Sequence, residues 1–342
     1  MRTHRIINCI FFEIISVLLW VSCGHKQFTP EQILNEYSSG VVLIANTHYY
    51  SITIDGEEIF YFSNYNVDDG FLGFTDDEDS IVYATSWGTG FFVSEDGMIA
   101  TNSHVVNPKI DEKTVSKNLS HFLGAIKMKC QSEVDDYNVA IARLQTILSY
   151  SYDDEYVQLY EYAKNQRDEY QEIVETLSQI TSSDIEVNVH CRISVGFTET
   201  HVTEMSDLES CVLIKDDPDH DLALIQLKNK QTPENRAVFV IPDDEDVTYE
   251  IDEKLYAISY NMGPALSLTE TGMHPQIQSG NISQITNENQ IMYSIPTLPG
   301  SSGSPVIDSY GNLVAINYAG INNTQSFNYG IKVKHLYSLL NR

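Results

Sequence analysis

The sequence predicts an all-β core interrupted by a block of helix. Three observations carry that reading. Short apolar or alternating runs, punctuated by Gly-, Asn- and Asp-containing turns, recur from Val41 to Phe62, from Phe91 to Thr101 and from Ile185 to Val333. Such runs are the pattern of strands in barrels or sandwiches. Residues 111–183 break it: Val134, Tyr137, Ile141, Leu144 and Leu148 recur at three- and four-residue steps, and Tyr170, Ile173, Val174, Leu177 and Ile180 do the same. That is the period of a helix with one apolar stripe. Lys334–Leu340 reads as a short closing helix.

Taken in order, the chain opens on the basic stretch Met1-Arg-Thr-His-Arg5, followed by the mostly apolar Ile6–Val21 and by Ser22-Cys23-Gly24. The apolar run is short for a membrane span, which needs about 20 residues. Residues 1–22 resemble a secretory signal with a lipoprotein-type cleavage site, which makes Cys23 a lipidated mature N-terminus. A plain cleaved signal and an uncleaved anchor are the other two readings. All three put the body of the protein outside the cytoplasm. Residues 23–34 are read as a polar tether and 35–342 as the folded body.

Val41–Ala45 begins the sheet. Tyr49–Phe62 alternates as a hairpin does, with Asp55-Gly56 as its turn, and Asn64–Asp79 is an acidic loop. Phe91–Val93 and Met98–Thr101 read as two strands joined by the turn Ser94-Glu-Asp-Gly97. The 111–183 block holds two or three helices, with Ser149–Asp154 as a connector. Strands resume at Ile185–Phe197, Cys211–Ile214 and Leu222–Leu227. Beyond an acidic, Pro-containing crossover at 228–250, further strands are expected at Leu255–Tyr260, Gln276–Ile285, Gln290–Ile295, Val306–Ile307, Leu313–Asn317 and Ser326–Val333.

A chain of 342 residues can bury one large core or two small ones. With 42% hydrophobic residues and a mean hydropathy of −0.22 it has the balance of an ordinary soluble globule. Its net charge of −28, from 48 acids against 20 bases, repels nucleic acid and anionic lipid. The same charge favours cationic partners or serves solubility alone.

Three segments carry chemistry. Residues 300–306 read Gly-Ser-Ser-Gly-Ser-Pro-Val, a glycine-flanked turn that lifts the Ser302 hydroxyl clear of the backbone, because glycine accepts the positive φ such turns need. The amides of Gly300 and Ser302 then point at one spot, where an oxyanion would form during acyl transfer. His104 follows the strand Met98–Thr101 in the stretch Thr101-Asn-Ser-His-Val-Val106. Asp221 opens the apolar run Leu222–Leu227, where a carboxylate is partly desolvated and placed to hold a histidine. Serine needs a base to take its proton, and the base needs a carboxylate to fix its tautomer. His104, Asp221 and Ser302 are therefore the expected catalytic residues.

The order His–Asp–Ser, with the stretches TNSHVV, DPDHDLALIQL, GSSGSPVIDSYGNLVAIN, FNYGIKV and GTGFFVSEDG, resembles the chymotrypsin-like serine peptidases, and most the bacterial HtrA (DegP-type) branch. The matching stretches cover about half of the chain. The resemblance implies two six-stranded antiparallel β-barrels, with the helical insertion in the first. It implies an exported serine endopeptidase of the bacterial cell envelope, in the periplasm or on the outer surface, acting on polypeptides through an acyl-enzyme. It also implies a substrate pocket walled by Pro296, Asn317, Ala319 and Gly320. No acid stands at Pro296, six residues before the serine, so a small or medium apolar side chain is the expected preference. The alternative on the same fold is a catalytically silent peptide-binding or chaperone module. An esterase fits less well, because α/β-hydrolases use the order Ser–Asp–His.

Two departures from the branch stand out. Ser304 occupies the place of a second glycine, and 117 residues separate His104 from Asp221. No PDZ domain is expected after Arg342. The insertion reads either as a lid or docking arm or as a covering ornament. Of five cysteines, Cys9 and Cys23 belong to the leader. Cys191 and Cys211, on neighbouring strand-like segments, form a bridge, which an oxidising compartment permits, or are two buried thiols. No Cys/His spacing suggests zinc, and neither metal nor cofactor is expected.

Overall fold

The computed structural model describes residues 27–66, 68–243, 247–320 and 327–341. The leader, Cys23 and Ser326 lie outside the described residues. In chain order the strands are β1 (Val41–Ile54), β2 (Glu57–Phe62), β3 (Asn64–Asn66), β4 (Gly70–Leu72), β5 (Ala84–Phe92), β6 (Met98–Thr101), β7 (Ile185–Phe197), β8 (Glu209–Asp217) and β9 (Leu222–Leu227). They continue as β10 (Lys254–Ser259), β11 (Leu268–Thr269), β12 (Gly272–Met273), β13 (Gln276–Ile285), β14 (Gln290–Tyr293), β15 (Pro305–Asp308), β16 (Leu313–Gly320) and β17 (Asn328–Lys332). The helices are α1 (Pro30–Tyr37), α2 (Ser103–Val106), α3 (Glu112–Tyr150), α4 (Asp154–Gln179), α5 (Pro264–Ser267) and α6 (Val333–Asn341).

The first barrel is the ring β1-β5-β6-β9-β8-β7, closed by pairing of β7 with β1, and β2 adds a seventh strand to β1. The second is the closed ring β10-β13-β14-β17-β16-β15. The two six-stranded antiparallel barrels, the inserted helices and the C-terminal helix are thus the expected architecture. The chain divides into two units: the described residues up to Asn46, Ser86–Val106 and those from Arg192 on; and Thr47–Thr85 with Asn107–Cys191.

In the first unit the unbroken apolar runs find their explanation. Strand side chains alternate between faces, and here both faces are covered. Ala223, Ile225 and Leu227 of β9 join the cluster of Ile44, Phe92, Ile99 and Val195. Leu222 and Leu224 face the opposite way, toward Phe91, Tyr256, Ile258, Tyr260 and Ile307 of a cluster shared with the second barrel. In β10, Leu255 and Ala257 turn inward to Ile291, Tyr293 and Val306, while Tyr256 and Ile258 face the shared cluster. Each buried Leu, Ile, Val or Phe among them contributes about 1.5–3 kcal/mol.

The tether is shorter than expected. Thr29 caps α1 reciprocally: Gln32 N donates to Thr29 Oγ1 at 3.3 Å and Thr29 N to Gln32 Oε1 at 2.9 Å. This capping box, with Pro30 in the first turn, fixes the helix, and Ile33 is fully buried in the shared cluster. Polar composition at 27–32 masked a helix start.

The second unit holds the insertion. It is two helices, not three: α3 of 39 residues and α4 of 26. Asp111 caps α3, accepting from Thr114 N at 3.2 Å and from Thr114 Oγ1 at 2.6 Å. The Thr114 hydrogen bonds hold the Asp111 carboxyl below its ordinary range. Asp153 caps α4 through Glu155 N at 2.9 Å. Val115, Leu119 and Leu123, one per turn, pack against Tyr50, Ile52, Phe62 and Ile185. Further along, Val134, Ile141 and Val174 are buried as the period predicts, and Tyr137 stacks on Tyr170 with centroids 6.1 Å apart. Ile173 is exposed instead, because one neighbouring helix covers only a narrow stripe. The acidic 64–79 segment is not all loop: β3 and β4 pair as a small hairpin. Cys130, Cys191 and Cys211 are thiols; Cys211 is buried and Cys191 exposed, so Cys191 and Cys211 form neither a bridge nor a pair of buried thiols.

Candidate active site

His104 sits in α2, a single turn after β6. Val105 and Val106 anchor that turn in the core, and Asn46 Nδ2 holds the Val105 carbonyl at 3.0 Å. Asp221 closes the turn between β8 and β9, whose register opposes Asp217 to Leu222. Its φ of +50° lies in the left-handed region, which aspartate tolerates better than most side chains.

The two segments are joined by four hydrogen bonds. Asn102 Nδ2 and Ser103 N donate to Asp221 O at 2.9 and 3.2 Å. His104 N donates to Asp221 Oδ1 at 2.9 Å. His104 Nδ1 meets Asp221 Oδ2 at 2.7 Å. The side chain of Asp221 is 19% exposed and that of His104 47%. Nδ1–H donation to the carboxylate leaves the Nε2 lone pair as a base.

The turn 300–304 alternates in its use of amides. Ser301 N donates to Leu298 O at 3.0 Å, Gly303 N to Asn317 O at 2.9 Å and Ser304 N to Ser301 O at 3.2 Å. Among the described residues neither Gly300 N nor Ser302 N donates to a protein acceptor. Gly300 and Gly303 have φ of +94° and +85°, and a Cβ at Gly303 would overlap Thr89 O and Thr101 Oγ1. The turn is pinned from the first barrel, since Thr89 N donates to Ser302 O at 2.9 Å and Thr89 Oγ1 to Gly300 O at 2.7 Å. It is pinned from the second by Asn317, whose Nδ2 donates to Ser301 O at 2.8 Å and Ser301 Oγ at 3.1 Å. Asn317 Oδ1 in turn accepts from Tyr293 Oη at 2.7 Å. Complete burial pushes the Tyr293 phenol well above its ordinary value, so it stays a neutral donor.

Ser302 is half-buried, and its hydroxyl donates to Tyr318 O at 3.3 Å rather than to His104. Catalytic hydrogen bonds in unliganded sites are commonly loose and tighten on substrate. Of the expected pocket residues, Pro296 is exposed. Asn317 is buried and turned onto the serine turn rather than outward. Ala319 and Gly320 pair across β16 with Tyr329 and Asn328 of β17. Asn328 Nδ2 donates to Ile295 O at 2.6 Å and its Oδ1 accepts from Thr297 Oγ1 at 2.9 Å. Sequence reasoning missed Thr89, Asn102 and Tyr293, though Thr89 and Asn102 fall inside the quoted GTGFF and TNSH motifs. No group of three or more metal-ligating side chains occurs among the described residues.

Residues 174–316 match the family model of the trypsin-like peptidase domain, a span that contains Asp221 and Ser302 and begins after His104. A search of curated proteins finds no match. Among solved structures, the serine endoprotease from Yersinia pestis is similar at 13% identity and a TM-score of 0.46, over 92% of this chain and 66% of that one. The HtrA-type protease AlgW with a tripeptide is similar at 13% identity and a TM-score of 0.45, over 92% of this chain and 63% of that one. The chain therefore spans just under two thirds of the length of these structures.

Proposed function

We propose that the trypsin-like peptidase domain of this chain is a working serine endopeptidase that cleaves polypeptides through Ser302, His104 and Asp221. The observation that carries this reading is the His104–Asp221 pair at 2.7 Å, made between residues 117 apart in sequence. Its companion is a serine turn with two amides left over for an incoming oxygen.

His104 Nε2 takes the Ser302 proton as Oγ attacks the substrate carbonyl carbon. The carbonyl oxygen becomes an oxyanion held by the Gly300 and Ser302 amides. His104 then protonates the departing amine, leaving an acyl-enzyme. Water, deprotonated by His104, attacks the ester, and Ser302 recovers its proton as the acid leaves. Asp221 keeps Nδ1 protonated and stabilises the imidazolium throughout. With Pro296 and no acid at the pocket base, a small or medium apolar side chain precedes the scissile bond.

The chain is exported to the bacterial cell envelope and held there by lipid on Cys23. Incorporation of labelled palmitate by wild-type protein and not by Cys23→Ser tests that placement.

Ser302→Ala protein is expected to lose hydrolysis of an unfolded polypeptide such as casein. Turnover unchanged in that variant removes the assignment. One observation favours a catalytically silent peptide-binding module instead: at rest the Ser302 hydroxyl bonds Tyr318 O. Peptide binding by wild-type protein without any cleavage would support that reading.

A further inference from the structure

We propose that a groove on the N-terminal half of α3 binds an extended acidic segment of another polypeptide. The groove, of about 530 Å³, is lined by Lys113, Lys117 and His121, by Ser116, Ser120 and Ile180, and by Glu112 and Ser182. Its charge is opposite to that of the protein. The chain carries 20 lysines and arginines against 48 acids. Yet Lys109, Lys113, Lys117, Lys127 and Lys129 fall within residues 109–129, against only Asp111 and Glu112.

The cations are held by no ion pair among the described residues, although, besides Thr114, Lys113 helps to hold the Asp111 carboxyl down. Among the described residues none of Lys113, Lys117 and His121 is in a salt bridge or a side-chain hydrogen bond. The Asp111 carboxylate is occupied by Thr114, as the cap of α3. Glu112 is the one acid on the lining, at its first turn.

Spacing selects the ligand. Residues 113, 117 and 121 lie four apart on one helix face, so the cations follow one another at ~6 Å and span ~12 Å. They do not converge on a point, as a site for a single phosphate would. Side chains on one face of an extended peptide repeat every ~6.6 Å, so acids at alternate positions meet the cations in register. Ser116, half-buried between the lysines, offers a hydroxyl to the peptide backbone, Ser120, whose hydroxyl donates to Ser116 O at 2.8 Å, offers an acceptor, and half-buried Ile180 offers an apolar wall. The protein's overall negative charge does not forbid this, because exposed charges beyond ~8 Å are largely screened at physiological salt.

The proposal stands apart from the peptidase reading, and its test uses full-length Ser302→Ala protein so that cleavage does not interfere. The probe is a fluorescein-labelled heptapeptide with glutamate at alternate positions, followed by fluorescence anisotropy. Saturable binding is expected. Lys113→Gln with Lys117→Gln should weaken it at least tenfold, and Lys127→Gln with Lys129→Gln, an equal charge change on the same helix, should leave it within twofold. Glutamine keeps the helix propensity of lysine, and circular dichroism checks both variants. No binding, or equal weakening by both pairs, overturns the proposal. Equally tight competition by inorganic tripolyphosphate overturns the peptide assignment in favour of a simple anion.

Discussion

The serine turn depends on a polar clamp that motif reading does not reveal, and the clamp can be measured. In Asn317→Ala, two hydrogen bonds to Ser301 vanish, at 2.8 and 3.1 Å, together with the acceptor for Tyr293 Oη at 2.7 Å. Asn317 is 2% exposed and Tyr293 fully buried, so water does not replace the lost partners. Ser301 O keeps Ser304 N and Ser304 Oγ as donors, at 3.2 and 2.6 Å, and Tyr293 Oη keeps Tyr329 O, at 3.0 Å, so at about 1 kcal/mol per net bond the loss comes to about 2–3 kcal/mol. The main-chain bonds Gly303 N to Asn317 O and Asn317 N to Ser304 O remain, so the fold persists. Tyr293→Phe removes one hydroxyl, which also reaches Tyr329 O at 3.0 Å, and costs about 1–2 kcal/mol. The shared bond is counted twice in the single variants, so the double variant should lose about 1 kcal/mol less than their sum. Urea unfolding reads the stabilities. Peptide hydrolysis should show kcat down about 10- to 100-fold with KM little changed, since the clamp orients the oxyanion amides and not the substrate's side chain. Additive stabilities together with an unchanged kcat would refute the clamp.

Further outcomes follow from the same geometry. Asp221→Asn should fold and bind peptide yet lose about 10³–10⁴ in kcat, because an amide cannot hold the imidazole tautomer that Asp221 Oδ2 accepts; steady-state kinetics checks this. Gly303→Ala should cost about 3 kcal/mol or more, from a φ of +85° and the overlap with Thr89 O and Thr101 Oγ1, and calorimetry should show the drop. Burial pushes the Cys211 thiol up from its ordinary 9.0 to about 12, so iodoacetamide at pH 8 should alkylate exposed Cys191 in the native protein and Cys211 only after unfolding, as peptide mass mapping would read. For the same reason the folded state holds a proton that the unfolded chain releases. Stability from this group is full below pH 9 and falls as pH climbs toward about 12, and Tyr260, pushed up from 10.0 to about 12 by burial, steepens the loss.

Strands were legible where their side-chain pattern was local. Gln276–Ile285, Ile185–Phe197 and Leu222–Leu227 have the expected bounds, because each is an apolar or alternating run closed by turn residues. The turn at Asp55-Gly56 was legible for the same reason, and both residues have the positive φ that a tight hairpin demands. Of the candidate site, His104 and Asp221 were picked out from their flanks and do meet across 117 residues, while the Ser302 hydroxyl, picked out the same way, bonds Tyr318 O. The supporting cast could not. Thr89 acts on Gly300 from 211 residues away and Tyr293 acts through Asn317, and neither partnership leaves a periodic trace. Asn317 was expected as a pocket wall from the family resemblance, whereas its side chain turns to the serine turn. The two-residue strands β11 and β12, which are 268–269 and 272–273, pair through one turn and are too short to register as a pattern.

Reaction of the purified wild-type protein with a fluorophosphonate, followed by mass mapping of the adduct, tests the central claim most directly. The account predicts a stoichiometric adduct on Ser302, slowed by competing peptide and abolished in His104→Ala. An unlabelled protein, or an adduct on any other residue, would contradict it.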